Sequence, residues 1–336
     1  MVRVGVIGAL GYAGRELIRL LIAHPQAKLT CAVEVESGNK LQDLIPSFRK
    51  MLDIELESFD PKTIAKKCDV VFLGLPAGKS MPLVAELYKE DVVIMDLGSD
   101  FRIKDPVAYS KYYKLEYTHP ELVENSVYGL VPWYRDKIRD AKLVAVPGCF
   151  PISVILPLRP LVEEANPEIP IVIDSITGVS GAGRGLTEVY HFPNMNENLR
   201  AYRIGNHQHT PEIEQEIGGK WKVQFTPHVA PITRGILTTI TLRPTRKIDP
   251  GELYSCYDNE PFVRVLPMGS FPEINYVRNS NFCDIGWMFD ERTGNIVIVS
   301  AIDNLVGGTA GMGIQCLNVR FGFPEDTGLK FPGMMP

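Results

Sequence analysis

The spacing of apolar residues changes character about halfway along the chain. In the first half, short runs rich in valine, isoleucine and leucine alternate with stretches whose apolar residues recur every three or four positions. Val2–Ile7 reads as a strand, and Leu17, Ile18, Leu20, Leu21 and Ile22 then share one side of a helix over 15–23. Strands over 29–35, 70–75 and 92–97 follow, with a helix over 79–87 between the last two. This rhythm predicts an α/β fold, a Rossmann-type doubly wound parallel sheet whose ligands lie at the carboxyl ends of its strands.

A further strand over 142–146 runs through Pro147-Gly148 to Cys149, and residues 152–161 have helical spacing that Pro157 and Pro160 should kink or shorten. Beyond that point the runs at 171–176, 221–229 and 236–242 are β-rich, which predicts a second, α+β domain on a mixed sheet. A strand-like run over 300–305 and an apolar, glycine-tolerant helix to about 321 close the pattern, and that helix is expected to pack on the first domain. The expected division is a dinucleotide-binding domain over 1–148, completed by 306–336, and a catalytic domain over 149–305.

Composition narrows the function. Of 336 residues, 45% are apolar and 22% charged, the balance of a globular protein large enough for two cores. The formal charge of -5 comes without any basic block, so neither nucleic acid nor an acidic membrane surface is an expected partner, and a small molecule is. No apolar run approaches the roughly 18 residues of a membrane span, and the sequence opens directly on a strand, so a cytoplasmic location is expected. Six cysteines are widely spread with no C-x-x-C pair, which predicts reduced thiols, no disulfide framework and no zinc site.

Candidate chemistry sits at the junctions. Gly8, Gly11 and Gly14, directly after the first strand and opening a helix, suit a tight turn, close approach of backbone N–H groups to a pyrophosphate, and close helix–strand packing. Tyr12 and Ala13 lie in the same turn, and Leu75-Pro76-Ala77-Gly78 ends another strand where a nucleotide would pass. After the second strand, Glu34 and Glu36 suit the bare ribose of NAD while Ser37 and Lys40 suit the 2′-phosphate of NADP, so the segment leaves both cofactors open. Cys149, where a strand hands over to a helix, is placed for the helix dipole to stabilise a thiolate, although a buried, inert cysteine has the same local pattern. Arg102, Arg184 and Arg234 are candidate anion ligands. His207 and His209 precede a helix that Thr210 could cap with Pro211 at its first position, and either histidine could serve a thiol as acid and base.

In order along the chain, Gly8-Ala9-Leu10-Gly11-Tyr12-Ala13-Gly14, Asp100-Phe101-Arg102, Tyr128-Gly129-Leu130, Pro147-Gly148-Cys149-Phe150-Pro151, Gly178 to Arg184, His207 to Ile213, Arg234-Gly235-Ile236-Leu237 and Ile302 to Val306 are the carrying motifs. Together they resemble the N-acetyl-gamma-glutamyl-phosphate reductase family of arginine biosynthesis, relatives of aspartate-semialdehyde dehydrogenase, over almost the whole chain. The resemblance implies NADPH-dependent reduction of an acyl phosphate to a semialdehyde with phosphate release. It implies Cys149 as nucleophile, His207 before His209 as base, Gly181 and Asn304 as further cofactor contacts, and a homodimer or homotetramer formed by the second domain. Departures from the family pattern are Glu34-Val35 in place of Ser-Arg, which leaves NAD(H) open beside NADP(H), Ala77 in place of histidine, and Gly307 in place of lysine. The alternatives are the related aminoadipyl-phosphate reductase of lysine biosynthesis and a catalytically silent nucleotide-sensing module, and the joint presence of Cys149 and His207 argues against the second.

Overall fold

The computed structural model describes residues 1–335 and divides into two compact units: Met1–Pro147 with Thr309–Lys330, and Gly148–Gly308 with the chain from Phe331 onward.

The first unit is built on seven strands, β1 (Val2–Ile7), β2 (Ala27–Val33), β3 (Leu56–Glu57), β4 (Val70–Leu73), β5 (Val93–Asp96), β6 (Val127–Tyr128) and β7 (Leu143–Ala145), in the order β3-β2-β1-β4-β5-β7-β6. Every neighbouring pair is parallel. Parallel neighbours need crossovers, and the helices that make them cover the sheet; β4 and β5 are therefore buried along their whole length and read as unbroken apolar runs. The helix Tyr12–Ile22 buries Leu17, Ile18, Leu20 and Leu21 and leaves Arg19 in water, as the spacing predicts. Helices at Pro106–Tyr113, Pro120–Asn125 and Val131–Asp140 had no clear apolar stripe to announce them, but each carries proline in its first turn, where a missing N–H costs nothing. The closing helix Gly311–Arg320 belongs to this unit and packs on Val131–Asp140 and Tyr12–Ile22.

The second unit is a mixed sheet of β8 (Ile171–Gly178), β9 (Arg200–Ala201), β10 (Val223–Ala230), β11 (Ile236–Leu242), β12 (Val263–Val265), β13 (Cys283–Asp290) and β14 (Asn295–Ile302), in the order β12-β13-β14-β11-β8-β10-β9. β8 with β10 and β12 with β13 are parallel, and the other neighbours antiparallel. The last strand ends at Ile302 and not at 305, because Asp303 turns back to accept the N–H groups of Leu305 and Val306.

The helix Cys149–Leu158 lies on β11 and β14. It begins three residues earlier than its apolar spacing predicts and continues through Pro157. Proline there removes the donor for the carbonyl of Ser153, four residues back, and Ser300 Oγ replaces it at 2.5 Å. Pro160 likewise leaves the Leu156 carbonyl without a helical donor, which the Tyr257 hydroxyl supplies at 2.6 Å. Buried hydroxyls from the sheet and from Tyr257 thus satisfy the two carbonyls whose helical donors the prolines remove.

Candidate functional site

The first unit carries a glycine turn directly after β1. Gly8 has φ +84, and a Cβ on it would stand 2.6 Å from the Gly74 carbonyl oxygen. A Cβ on Gly14 would stand 2.2 Å from the Gly8 carbonyl oxygen, so only glycine lets the helix start this close to the strand. Gly11 precedes the helix in extended backbone, with no side-chain cap and no acidic residue in the first turn. The N–H groups of Tyr12, Ala13 and Gly14 therefore form an uncapped, positively polarised helix start of the kind that receives a dinucleotide pyrophosphate. These residues fit a nicotinamide dinucleotide on their own geometry. Pro76 closes a second turn at the end of β4, whose Gly78 N–H is received by Asp100 Oδ1 at 2.7 Å. Asp100 also takes the N–H groups of Ser80 and Met81, so the Asp-Phe-Arg motif caps the helix Ser80–Leu87.

Arg102, read from sequence as an anion ligand, is buried, and its Nε and Nη2 donate to the carbonyls of Val146 at 2.8 Å and Leu97 at 2.7 Å. Two of its donors thus hold backbone at the end of the first unit. Asp96, wholly buried nearby, has its carboxyl pushed up to about 7, first by burial and then by the charge of Asp100.

In the second unit, Cys149 is the first residue of its helix, with Gly148 as the extended N-cap residue. It is half-buried, whereas burial pushes the thiols of Cys283 and Cys316 far above the ordinary range. A thiol open to solvent at a helix N-terminus can ionise, and the fully buried ones cannot do so cheaply. Gly308 closes over it: a Cβ there would come within 2.9 Å of Cys149 Cβ.

Both neighbours of Cys149 are tied to the histidine segment. The buried N–H of Gly148 is received by Glu212 Oε1 at 2.9 Å, and the Phe150 ring meets His207 and His209 edge-on, with centroids 5.5 and 5.9 Å away. His207 is 3% exposed and packed among Phe150, Tyr202, Phe225 and His209. Burial, with Arg203 adding to it, pushes the His207 imidazole down to about 3, so it is neutral at ordinary pH. Its Nδ1 accepts the N–H of His209 at 3.2 Å, which assigns the ring proton to Nε2. Tyr202, edge-on to His207, has its phenol raised by burial and further by the negative charge of Cys149. The helix here is Thr210–Glu216, and its N-cap residue is His209 and not Thr210, which is already helical.

The remaining sequence candidates separate. Arg234 donates to Asn279 Oδ1 at 2.8 Å and lies 3.7 Å from Asp303. Asn304 is buried, its Oδ1 receiving the Gly235 N–H and its Nδ2 reaching Ser180 Oγ, so it joins the Arg234-Gly235 turn to the loop that holds Gly181. Arg184 stands exposed at the far end of that loop. Glu212, Asp100 and Tyr202 were not singled out from sequence as site residues; Asp100 and Glu212 lie inside motifs that the sequence did show, and Tyr202 carried no signal. Among the described residues no cluster of three or more His, Cys, Asp or Glu side chains could hold a metal ion, and no helix is long and apolar enough to cross a membrane.

Known proteins are similar in sequence over the whole chain. Residues 3–141 match the family described as semialdehyde dehydrogenase, NAD binding domain, and residues 149–304 the one described as semialdehyde dehydrogenase, dimerisation domain. An N-acetyl-gamma-glutamyl-phosphate reductase of Pelotomaculum thermopropionicum is 45% identical, covering 100% of this chain and 99% of its own length. Those of Desulforamulus reducens and Halothermothrix orenii are 44% and 45% identical, each with 100% of both chains covered. Among solved structures, aspartate semialdehyde dehydrogenase II of Vibrio cholerae, complexed with ASA, shares the fold with TM-score 0.71 at 15% identity, covering 96% of this chain and 98% of that one. Aspartate semialdehyde dehydrogenase of Candida albicans, solved with NADP, gives TM-score 0.68 at 19% identity, covering 95% and 98%.

Proposed function

The chain belongs to the N-acetyl-gamma-glutamyl-phosphate reductase family, a branch of the semialdehyde dehydrogenases, and from that premise we propose that it reduces N-acetyl-gamma-glutamyl phosphate through a thioester on Cys149, as a step of arginine biosynthesis. The observation that carries this reading is the grip on both flanks of Cys149, Gly148 by Glu212 and Phe150 by the two histidines, at the first turn of a helix.

Each step follows from this chain's own residues. The Cys149 thiolate, stabilised by the helix start, attacks the acyl carbon; the carbon–oxygen bond to phosphate breaks and inorganic phosphate leaves. The N–H groups at the uncapped helix start suit the oxyanion that forms on the carbonyl oxygen. A reduced nicotinamide dinucleotide, when bound, would supply hydride to the thioester carbon; loss of the Cys149 thiolate from that carbon then frees N-acetylglutamate semialdehyde. His207 holds its proton on Nε2, where it can be donated to the substrate oxygen as charge gathers there, and takes it back from that oxygen as the carbon–sulfur bond breaks and the aldehyde C=O forms. Gly8, Gly11, Tyr12, Ala13, Gly14 and Pro76 would hold the dinucleotide; Arg184 and Arg234 remain the candidates for substrate anions, with Arg102 bracing the backbone before Pro147.

The test is phosphate-dependent reduction of NAD+ and of NADP+ by N-acetylglutamate semialdehyde. Activity should vanish in Cys149→Ser and fall by roughly two to four orders of magnitude in His207→Asn. Wild-type protein inactive with both cofactors overturns the substrate assignment. The dimerisation-domain match over 149–304 also supports self-association, which light scattering of the purified chain would read as a dimer or tetramer.

A further inference from the structure

We propose that Glu34 selects the cofactor at its adenosine ribose, so that this enzyme takes NAD(H) in preference to NADP(H). The inference deepens the nicotinamide reading above and rests on it. In a doubly wound sheet the residue just after the second strand meets the ribose next to the glycine turn; a carboxylate there accepts from the 2′-hydroxyl, whereas enzymes that bind a 2′-phosphate place a cation nearby. Glu34 directly follows β2, about twenty residues beyond Gly14, the separation expected of a ribose-binding acid.

The carboxylate is not free to swing away. Its Oε1 receives the N–H of Leu10 at 2.6 Å, inside the glycine turn itself, and its own N–H is bonded to the Glu57 carbonyl at 3.1 Å. An ionised carboxylate can only accept, and a 2′-phosphate offers it further negative charge and acceptor oxygens. Charge around this edge does not compensate. Lys40 Nζ is bonded to Asp53 at 2.8 Å, Lys67 is paired with Glu57, and Arg49 lies 3.5 Å from Asp43. Arg15 donates its Nε to the Leu10 carbonyl at 2.9 Å, which ties that guanidinium to the backbone of the residue whose N–H Glu34 receives. Val35 is 98% exposed and offers no side-chain donor. Among the described residues neither Glu34 nor Glu36 forms an ion pair, so the ribose edge keeps a negative excess.

Isothermal titration of the full chain tests this without turnover, using NAD+, NADP+, 5′-ADP and 2′,5′-ADP against wild type, Glu34→Ser and Glu34→Gln. Glutamine keeps an oxygen for the Leu10 N–H and removes only the charge, so it separates selectivity from damage to the turn. Wild type should bind NAD+ at least about tenfold more tightly than NADP+, and 5′-ADP more tightly than 2′,5′-ADP. Both variants should narrow or invert those ratios, chiefly by gaining affinity for the 2′-phosphorylated ligands. Wild type that binds NADP+ as well as or better than NAD+, ratios unmoved by either substitution, or no binding of any of the four ligands, would overturn the assignment. A chain that prefers NAD+ yet fails to reduce the acyl phosphate would contradict the reaction and leave the role of Glu34 standing.

Discussion

Glu212 receives the backbone N–H of Gly148 at 2.9 Å, and neither group is exposed to solvent. The two residues lie far apart in sequence, so this one hydrogen bond fixes the helix start that carries Cys149 against the segment that carries His207.

Replacing Glu212 by alanine leaves a buried N–H without that acceptor, a loss of about 1–3 kcal/mol. Glutamine keeps an oxygen in place. Glu212→Ala should therefore lower the melting temperature and cut kcat by roughly ten- to a hundredfold, a displacement of Cys149 worth about 1.4 kcal/mol per factor of ten. Glu212→Gln should stay within several-fold of wild type. Steady-state kinetics on both variants checks the pair, and equal losses in both would assign Glu212 a charge-dependent role instead.

The neutral, buried His207 has a consequence for pH. Its imidazole is near 3 in the folded chain and near 6.5 when unfolded, so between those values the unfolded chain binds the extra proton. Stability contributed by keeping it neutral is fully present above about 6.5 and is lost as pH falls toward 3, by at most a few kcal/mol. Denaturant unfolding followed from pH 7 to 4 should show a decline that is shallower in His207→Asn. For the same reason kcat/KM should show no His207-dependent limb near pH 6.5; finding one that disappears in His207→Asn would contradict the neutral assignment.

Gly308 sits so close that an added methyl would meet Cys149 Cβ at 2.9 Å and the Asp303 carbonyl oxygen at 3.2 Å. Gly308→Ala should displace the nucleophile, at a cost of about 1–3 kcal/mol for forced packing, and lower kcat more than it raises KM. Gly185, with nothing within 4 Å of a built Cβ, is the control, and Gly185→Ala should fold and melt like wild type.

Local signals carried much of the architecture. β1, the glycine turn and Tyr12–Ile22 were legible because strand, turn and helix each have a period or a residue type of their own. Cys149 was placed at a helix start by Pro147-Gly148, although the helix begins at the cysteine itself and passes Pro157, since its repair by Ser300 and Tyr257 is a tertiary fact. Strands of two residues such as β3, β6 and β9 have no period to read. β13 went unread despite its length because it is buried on both faces for most of its course and shows no alternation. Arg102 looked like an anion ligand because arginine chemistry is visible in sequence, whereas the carbonyls of Leu97 and Val146 that two of its donors meet are not. Glu212 was visible only as an acid in a first helical turn, and nothing local says that it reaches Gly148.

Acylation of Cys149 is the most direct test of the central claim. Wild-type protein mixed with N-acetyl-gamma-glutamyl phosphate and no nicotinamide cofactor, then quenched in acid, should release phosphate in a burst and carry an N-acetylglutamyl group, labile to hydroxylamine, on the peptide containing Cys149. Cys149→Ser should show neither the burst nor the labile adduct. A wild-type enzyme that reduces the acyl phosphate but never carries the adduct, or carries it on another cysteine such as the exposed Cys256, would contradict the thioester mechanism.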